Sequence, residues 1–233
     1  MANYRGWEYS KKGDYHRNLD KNWSYTPTYL RKIKTIENQI QTIDKKANIL
    51  DAGCGEGVLV EMFRKKGFQI EGIDLNYESE IVRRGSVLEM PYQNASFDAV
   101  LFLDVFEHLN YADQPKALAE ISRVLRPGGK LIVSVPNLAH WNSRFRIFCF
   151  GTLDRSDTET NHIGERPYGE NRKLLVDAGF LIEKTVGITL TVPFLYRRII
   201  CRKPALFRWL HDLLEPFAVP QLAMLNVFVC RKA

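Results

Sequence analysis

Short, mainly apolar runs alternate along this chain with stretches in which apolar residues recur every three or four positions. Residues 48–52, 68–74, 99–103 and 131–135 are such runs, and 99–103 (Ala-Val-Leu-Phe-Leu) contains no polar residue at all. Runs of this kind suit strands buried on both faces of a parallel sheet. Between the first two, residues 58–66 place Val58, Leu59, Met62 and Phe63 on one side of a predicted helix, and Gly67 supplies its stop. A further helix begins after Asp113, with Pro115 in its first turn and Leu118, Ile121 and Leu125 on one face, and Pro127-Gly128-Gly129 is expected to end it. Residues 80–88 predict a short strand closing near Ser86-Val87-Leu88. A helix over 170–178, stopped by Gly179, precedes two last strands at 181–186 and 225–230. The βαβ rhythm predicts an α/β fold with a mostly parallel sheet.

Three segments fall outside that rhythm. Residues 1–46 carry Tyr15, His16, Trp23, Tyr25 and Tyr29 and lead into a helix near 27–42, which reads as an N-terminal helical and aromatic cap on a domain spanning 47–233. Residues 137–169 form a long connection, and residues 188–224 insert a basic, aromatic stretch before the last strand. Long additions inside compact domains are usually functional, so substrate choice is expected there.

Charge sharpens this division. The chain of 233 residues has a net charge of +6, but residues 1–47 hold 10 Lys/Arg against 5 Asp/Glu and residues 188–233 hold 7 against 2, so the middle is mildly acidic. An acidic partner would therefore meet the flanks first. Cys54, Cys149, Cys201 and Cys230 stand alone without a C-x-x-C pair, which suits a reducing compartment and gives no zinc spacing. The first residues do not read as a signal peptide, and no apolar run reaches the roughly 18 residues a membrane span needs. A cytoplasmic protein is expected.

The densest chemistry lies at 49–57, Ile-Leu-Asp-Ala-Gly-Cys-Gly-Glu-Gly, where a strand runs into three alternating glycines. Glycines at a strand-to-helix turn let a ligand approach the main chain closely, and such turns at the carboxyl ends of strands are where open α/β sheets bind ligands. The spacing is not that of a dinucleotide fingerprint, because Val58 stands where G-x-G-x-x-G needs its third glycine. Asp74, 21 residues past Gly53, is placed to hold ribose hydroxyls but would do so for any nucleoside. Asp51 discriminates: beside the glycines it repels a pyrophosphate and favours a ligand carrying ammonium and sulfonium charge. S-adenosylmethionine has both.

These segments together resemble the class I S-adenosylmethionine-dependent methyltransferases. ILDAGCGEG is similar to their first motif, GIDLN (72–76) to their second, SFDAVLFLDVFEHL (96–109) to the fourth-strand segment and VLRPGGKLIVSVPN (124–137) to the helix, turn and strand that follow. Order and spacing agree over about residues 48–187, and the likeness is greatest to small-molecule enzymes such as the ubiquinone- and menaquinone-pathway methyltransferases. The resemblance implies a Rossmann-like fold: a mostly parallel seven-stranded sheet, helices on both faces and an antiparallel last strand. It implies cofactor contacts from Asp51, Gly53, Cys54 and Gly55, from Asp74 and Leu75 at ribose and adenine, and from Leu103 and Asp104 beside the sulfonium. Ser86 departs from the family, which often has Asp there for the adenine amino group, so Ser86 and Val87 are expected to hold adenine by backbone and packing.

Candidate bases flank this site. His108, next to Glu107, has the intrinsic pKa of about 6.5 that suits proton removal near neutrality, and His140 is a second candidate. Asn142, Arg144, His162, Arg166 and Tyr168 are further polar groups in the 137–169 connection. Neither an H-x-H nor an H-E-x-x-H pattern suggests a metal. The expected reaction is methyl transfer to a small molecule, with oxygen the preferred acceptor atom and a lipid-linked or sugar-type acceptor in view. A partner protein that binds the cofactor without catalysis is the alternative, because PNLAHW (136–141) also resembles methyltransferase-like proteins of methionine biosynthesis; an NAD-dependent oxidoreductase is disfavoured by Val58 and Asp51. Residues 194–217 interleave Phe194, Tyr196, Phe207, Trp209 and Phe217 with five basic residues. They read as a lid helix with a buried aromatic side and solvated arginines, or as a surface touching anionic lipid. No RNA-binding signature accompanies them, and nucleic acid is not an expected partner.

Overall fold

The computed structural model describes residues 19–20, 23–153 and 162–233. Much of the expected N-terminal cap, Tyr15 and His16 included, lies outside them.

Seven strands form one sheet in the order β3-β2-β1-β4-β5-β7-β6. Strands β1 (Asn48–Ala52), β2 (Gln69–Asp74), β3 (Val82–Arg84), β4 (Phe97–Leu103) and β5 (Leu125–Pro136) run parallel. Strand β7 (Ala223–Lys232) lies antiparallel between β5 and β6 (Phe180–Leu190). The chain order reverses between β1 and β4, and the carboxyl ends of those two strands open the crevice where such sheets take ligands.

Helices cover both faces, as the resemblance implies. On one face α1 (Thr26–Ile40) and α2 (Val58–Lys65) bury Ile36, Ile40, Val60 and Phe63 against Ile49, Ala99, Leu101 and Ile132. On the other, α3 (Gln114–Val124) and α5 (Tyr168–Asp177) bury Leu118, Ile121 and Leu175 against Leu50, Val100, Phe102 and Phe228. Helix α1 thus covers part of the same sheet as the domain that follows it.

Four expectations need correction. The third strand ends at Arg84; Ser86 instead turns the chain, its Oγ accepting the Leu88 amide at 3.1 Å. Asp113 stands at the N-cap position of α3, but its carboxylate accepts from Asn110 and Lys116 rather than from the helix amides. Pro127-Gly128-Gly129 does not separate helix from strand: α3 stops at Val124 and β5 starts at Leu125, with the triplet absorbed where the register to β4 jumps from Phe97↔Leu125 to Ala99↔Lys130. Such an irregularity lets one strand carry extra residues without losing its partner. The 137–169 connection holds a helix, α4 (Trp141–Phe150), and residues 195–214 hold α6 (Leu195–Arg198) and α7 (Arg208–Leu214). The aromatic side of that last region is not buried: Tyr196 is, but Phe194, Trp209 and Phe217 face outward.

Candidate functional site

The glycine loop is fixed by the main chain of its neighbour. Gly53 and Cys54 both donate to the Ile73 carbonyl, at 2.7 and 3.2 Å, which ties the end of β1 to the end of β2. Gly53, Gly55 and Gly57 all take left-handed backbone angles, with φ of 81°, 56° and 80°. Gly53 has no room for a side chain, since a Cβ there would run into Val105. Gly55 differs: among the described residues nothing lies within 4 Å of the place a Cβ would take. Its peptide borders open space, as a ligand-facing backbone should.

Two carboxylates converge on this loop. Asp51 is buried in the sheet between Gly72 of β2 and Leu101 of β4. Burial, and then the nearby Asp74 charge, push its carboxyl up to about 7. Asp74 ends β2, where Oδ2 accepts the Gly55 amide at 2.9 Å and Oδ1 the Asn76 amide at 2.8 Å. It therefore shapes the loop while keeping lone pairs for a further donor. Leu75 beside it is exposed, an apolar side chain left at the rim. Val87 packs against the core below while the Ser86 hydroxyl is engaged in its own turn.

Across the crevice β4 ends at Leu103, and Asp104 follows with φ +54°. A non-glycine residue in that region is uncommon and often functional. Asp104 is held from three sides: its amide donates to the Ser134 carbonyl at 3.1 Å, Ser134 Oγ donates to Oδ1, and Lys32 Nζ donates to Oδ2. Lys32 belongs to α1 and is only 2% exposed, with the rings of Tyr25 and Tyr29 at 5.9 and 5.4 Å. Glu107 is buried next, its carboxyl raised well above the usual range by burial and then by Asp104, and its Oε2 has no hydrogen-bond partner among the described residues. The same burial and the same two carboxylates push the Tyr25 phenol up.

His108 meets a residue far away in sequence. Gly164 packs so closely on the Leu109 carbonyl that a Cβ would collide with it. Its amide donates to the Glu107 carbonyl at 2.9 Å, and Gln114 Nε2 donates to its carbonyl at 2.7 Å. This clamp sets His162 edge-on to His108, ring centroids 4.9 Å apart, with His162 Nδ1 at 2.9 Å from Glu165 Oε1. Donor atoms of Glu107, His108 and His162 all lie within 4.8 Å of one another, close enough to share one cation or one acceptor. Arg166 and Tyr168 belong to the same segment: Arg166 Nε donates to Gln114 at 2.6 Å and Tyr168 stacks on Phe228. His140 has a different setting. It precedes α4, buried, with Nδ1 2.7 Å from Thr191 Oγ1 beyond β6, and Thr191 Oγ1 also accepts the Asn142 amide at 3.3 Å. Arg144 Nε donates back to the Ala139 carbonyl at 2.6 Å.

The structure thus gathers Asp51, Gly53, Cys54, Gly55 and Asp74 on one wall and Leu103, Asp104, Glu107, His108 and His162 on the other. Lys32 escaped sequence reasoning. The signal was present: Tyr29, Lys32, Ile36 and Ile40 share the buried stripe of α1, and a lysine in such a stripe requires a partner.

A family model described as "Methyltransferase domain" matches residues 21–175, and the chain belongs to that family. A probable S-adenosylmethionine-dependent methyltransferase of Mycolicibacterium smegmatis is 33% identical over 153 residues, covering 60% of this chain and 54% of that protein. The ubiquinone biosynthesis O-methyltransferase of Idiomarina loihiensis is 35% identical over 118 residues, covering 44% and 47%. The chain therefore spans about half the length of these curated relatives. Among solved structures, the Burkholderia thailandensis 1,6-didemethyltoxoflavin-N1-methyltransferase, with its substrate and S-adenosylhomocysteine bound, has a TM-score of 0.58 at 19% identity, covering 97% of this chain and 84% of its own. A possible histamine N-methyltransferase from Thermotoga maritima has 0.59 at 17%, covering 97% and 95%. Likeness at that identity establishes the fold, which is the Rossmann-like methyltransferase fold expected from the motifs.

Proposed function

We propose that this protein transfers the methyl group of S-adenosylmethionine to a hydroxyl of a small molecule. The observation that carries the reading is the convergence of a buried acid, a second acid bonded to the loop, and an open glycine peptide on one crevice. These residues fit the cofactor. Asp51, costly to ionise alone, regains its charge beside a cation; Asp74 offers lone pairs to ribose; Gly55 leaves room for the methionine part. When bound, the cofactor supplies an activated methyl group with a neutral thioether as leaving group.

The chain's own task is then alignment, exclusion of water and acceptance of one proton. His108 or His162 takes the acceptor's hydroxyl proton, and Glu165 at 2.9 Å holds the His162 ring in place. Lys32 holds Asp104 in place at the end of β4. Tyr25 and Tyr29 pack their rings around the Lys32 ammonium on the same side.

Fold alone does not settle the reaction, since the [4+2]-cyclase SpnF shares it at a TM-score of 0.52 and 19% identity. Incubation with S-adenosylmethionine and a panel of phenols, alcohols and amines separates the readings. Release of S-adenosylhomocysteine with a hydroxyl acceptor is expected. Tight cofactor binding with no such release from any acceptor would favour the non-catalytic partner, and methylation of amines alone would reject the hydroxyl.

A further inference from the structure

We propose that this protein docks on an anionic membrane surface through α7 and the tip of α4. An ordinary surface helix buries its apolar stripe and shows its polar side to water. Helix α7 does the reverse. Trp209 and Leu213 on the helix, with Leu206 just before it and Phe217 in the turn just after it, follow at three- and four-residue spacing, and each is three-fifths or more exposed. The polar residue on its inner side, His211, is buried and lies 3.0 Å from Thr189 Oγ1. Arg31 of α1 adds ion pairs to Asp212 at 2.7 Å and Glu215 at 3.3 Å, so the helix is pinned in this inverted setting.

A second apolar prong stands beside it. The last turn of α4 projects Phe148, 90% exposed, with Ile147 and Phe150 next to it. Phe145 of the same helix meets Phe194 edge-on at 5.3 Å. Phe194 opens α6, which runs into the short turn 200–202 against which α7 packs. Phe145, Phe194 and α6 thus link the two prongs.

Its charge selects the occupant. Arg198, Arg202, Lys203 and Arg208 are exposed along the same stretch. Aromatic and aliphatic side chains ringed by arginine and lysine match the boundary between anionic headgroups and acyl chains. A second copy of this chain would set these cations against their own images in a two-fold pair. Among the described residues no helix is long and apolar enough to cross a membrane, so the contact is peripheral. Arg31, which pins α7, is followed in α1 by Lys32 of the site. A membrane-held acceptor would then be reached close to the docking helix, a consequence that rests on the function proposed above.

Flotation of the full chain with vesicles tests the proposal. The protein should rise with phosphatidylcholine vesicles containing phosphatidylglycerol, rise far less with phosphatidylcholine alone, and lose binding as salt increases. Trp209→Glu with Phe148→Glu should reduce flotation by roughly tenfold or more, and Arg202→Glu with Lys203→Glu should remove its salt dependence. Both variants should keep the circular dichroism spectrum and cofactor affinity of the parent. Full chain left at the bottom of the gradient with anionic vesicles would overturn the proposal. So would a Trp209/Phe148 variant that floats like the parent, or a light-scattering mass that falls from dimer to monomer in that variant. Cofactor calorimetry on the same samples keeps the two claims apart, because loss of cofactor binding with flotation intact removes the methyltransferase reading alone.

Discussion

The two walls of the crevice are built by opposite strategies. The wall proposed for the cofactor is local: Gly53, Gly55 and Asp74 lie on adjacent strand ends, held by hydrogen bonds of 2.7–3.2 Å from loop amides to the Ile73 carbonyl and the Asp74 carboxylate. The wall proposed for the acceptor is assembled from distant segments, with Lys32 reaching Asp104 across 72 residues of sequence and His162 brought to His108 by the clamp at Gly164. A local wall built from main chain can serve the whole family. A wall built from side chains on inserted segments can change acceptor without disturbing the sheet.

This contrast predicts different responses to substitution. The largest effect is expected at Lys32. Lys32→Met leaves the Asp104 charge partly buried without its partner, which should cost about 3 kcal/mol of stability. Thermal unfolding should show a fall of roughly 10 °C, and adding Asp104→Asn should restore part of it. If Lys32→Met melts like the parent, the pair does not hold the acceptor wall.

Asp74→Ala comes next and should act on the other wall alone. It removes the acceptor for the Gly55 and Asn76 amides together with the ribose contact, a loss of about 3 kcal/mol in cofactor binding, or roughly a hundredfold. Calorimetry showing unchanged affinity would take Asp74 out of the site.

Asp51 gives a smaller effect that depends on pH. Its carboxyl is raised from the usual 3.8 to about 7 in the folded chain. The unfolded chain therefore ionises it first, and without cofactor the stability it contributes is fully present at low pH and is lost as pH rises from about 4 through 7. A cation beside it reverses the preference, so binding should weaken as pH falls below about 7. Asp51→Asn should flatten both profiles, and at pH 8 the variant without cofactor should melt higher than the parent while binding the cofactor less well.

The smallest effect separates two histidines. His140→Ala should cost about 1 kcal/mol through its hydrogen bond to Thr191, an amount Thr191→Ala should match. His108→Ala should lower kcat more than His140→Ala does. The reverse order of kcat would move the base to the start of α4.

The same contrast governs what was legible in the sequence. Apolar runs announced the parallel strands, and the alternating glycines with Asp51 and Asp74 pointed to the wall proposed for the cofactor, because those residues end two neighbouring strands. Neither Lys32 nor His162 could be assigned its place, since each depends on a contact more than fifty residues away. The aromatic stretch at 194–217 was misjudged for a related reason: helical spacing gives a stripe but not its direction, and only tertiary packing shows that α7 turns Trp209 and Leu213 outward.

The most direct test of the account is titration of the full chain with S-adenosylmethionine at about pH 6, in two buffers of different ionisation heat. The account predicts one-to-one binding accompanied by proton release as Asp51 regains its charge, with no corresponding binding of NAD. Binding without proton release, or equal binding of NAD, would contradict it.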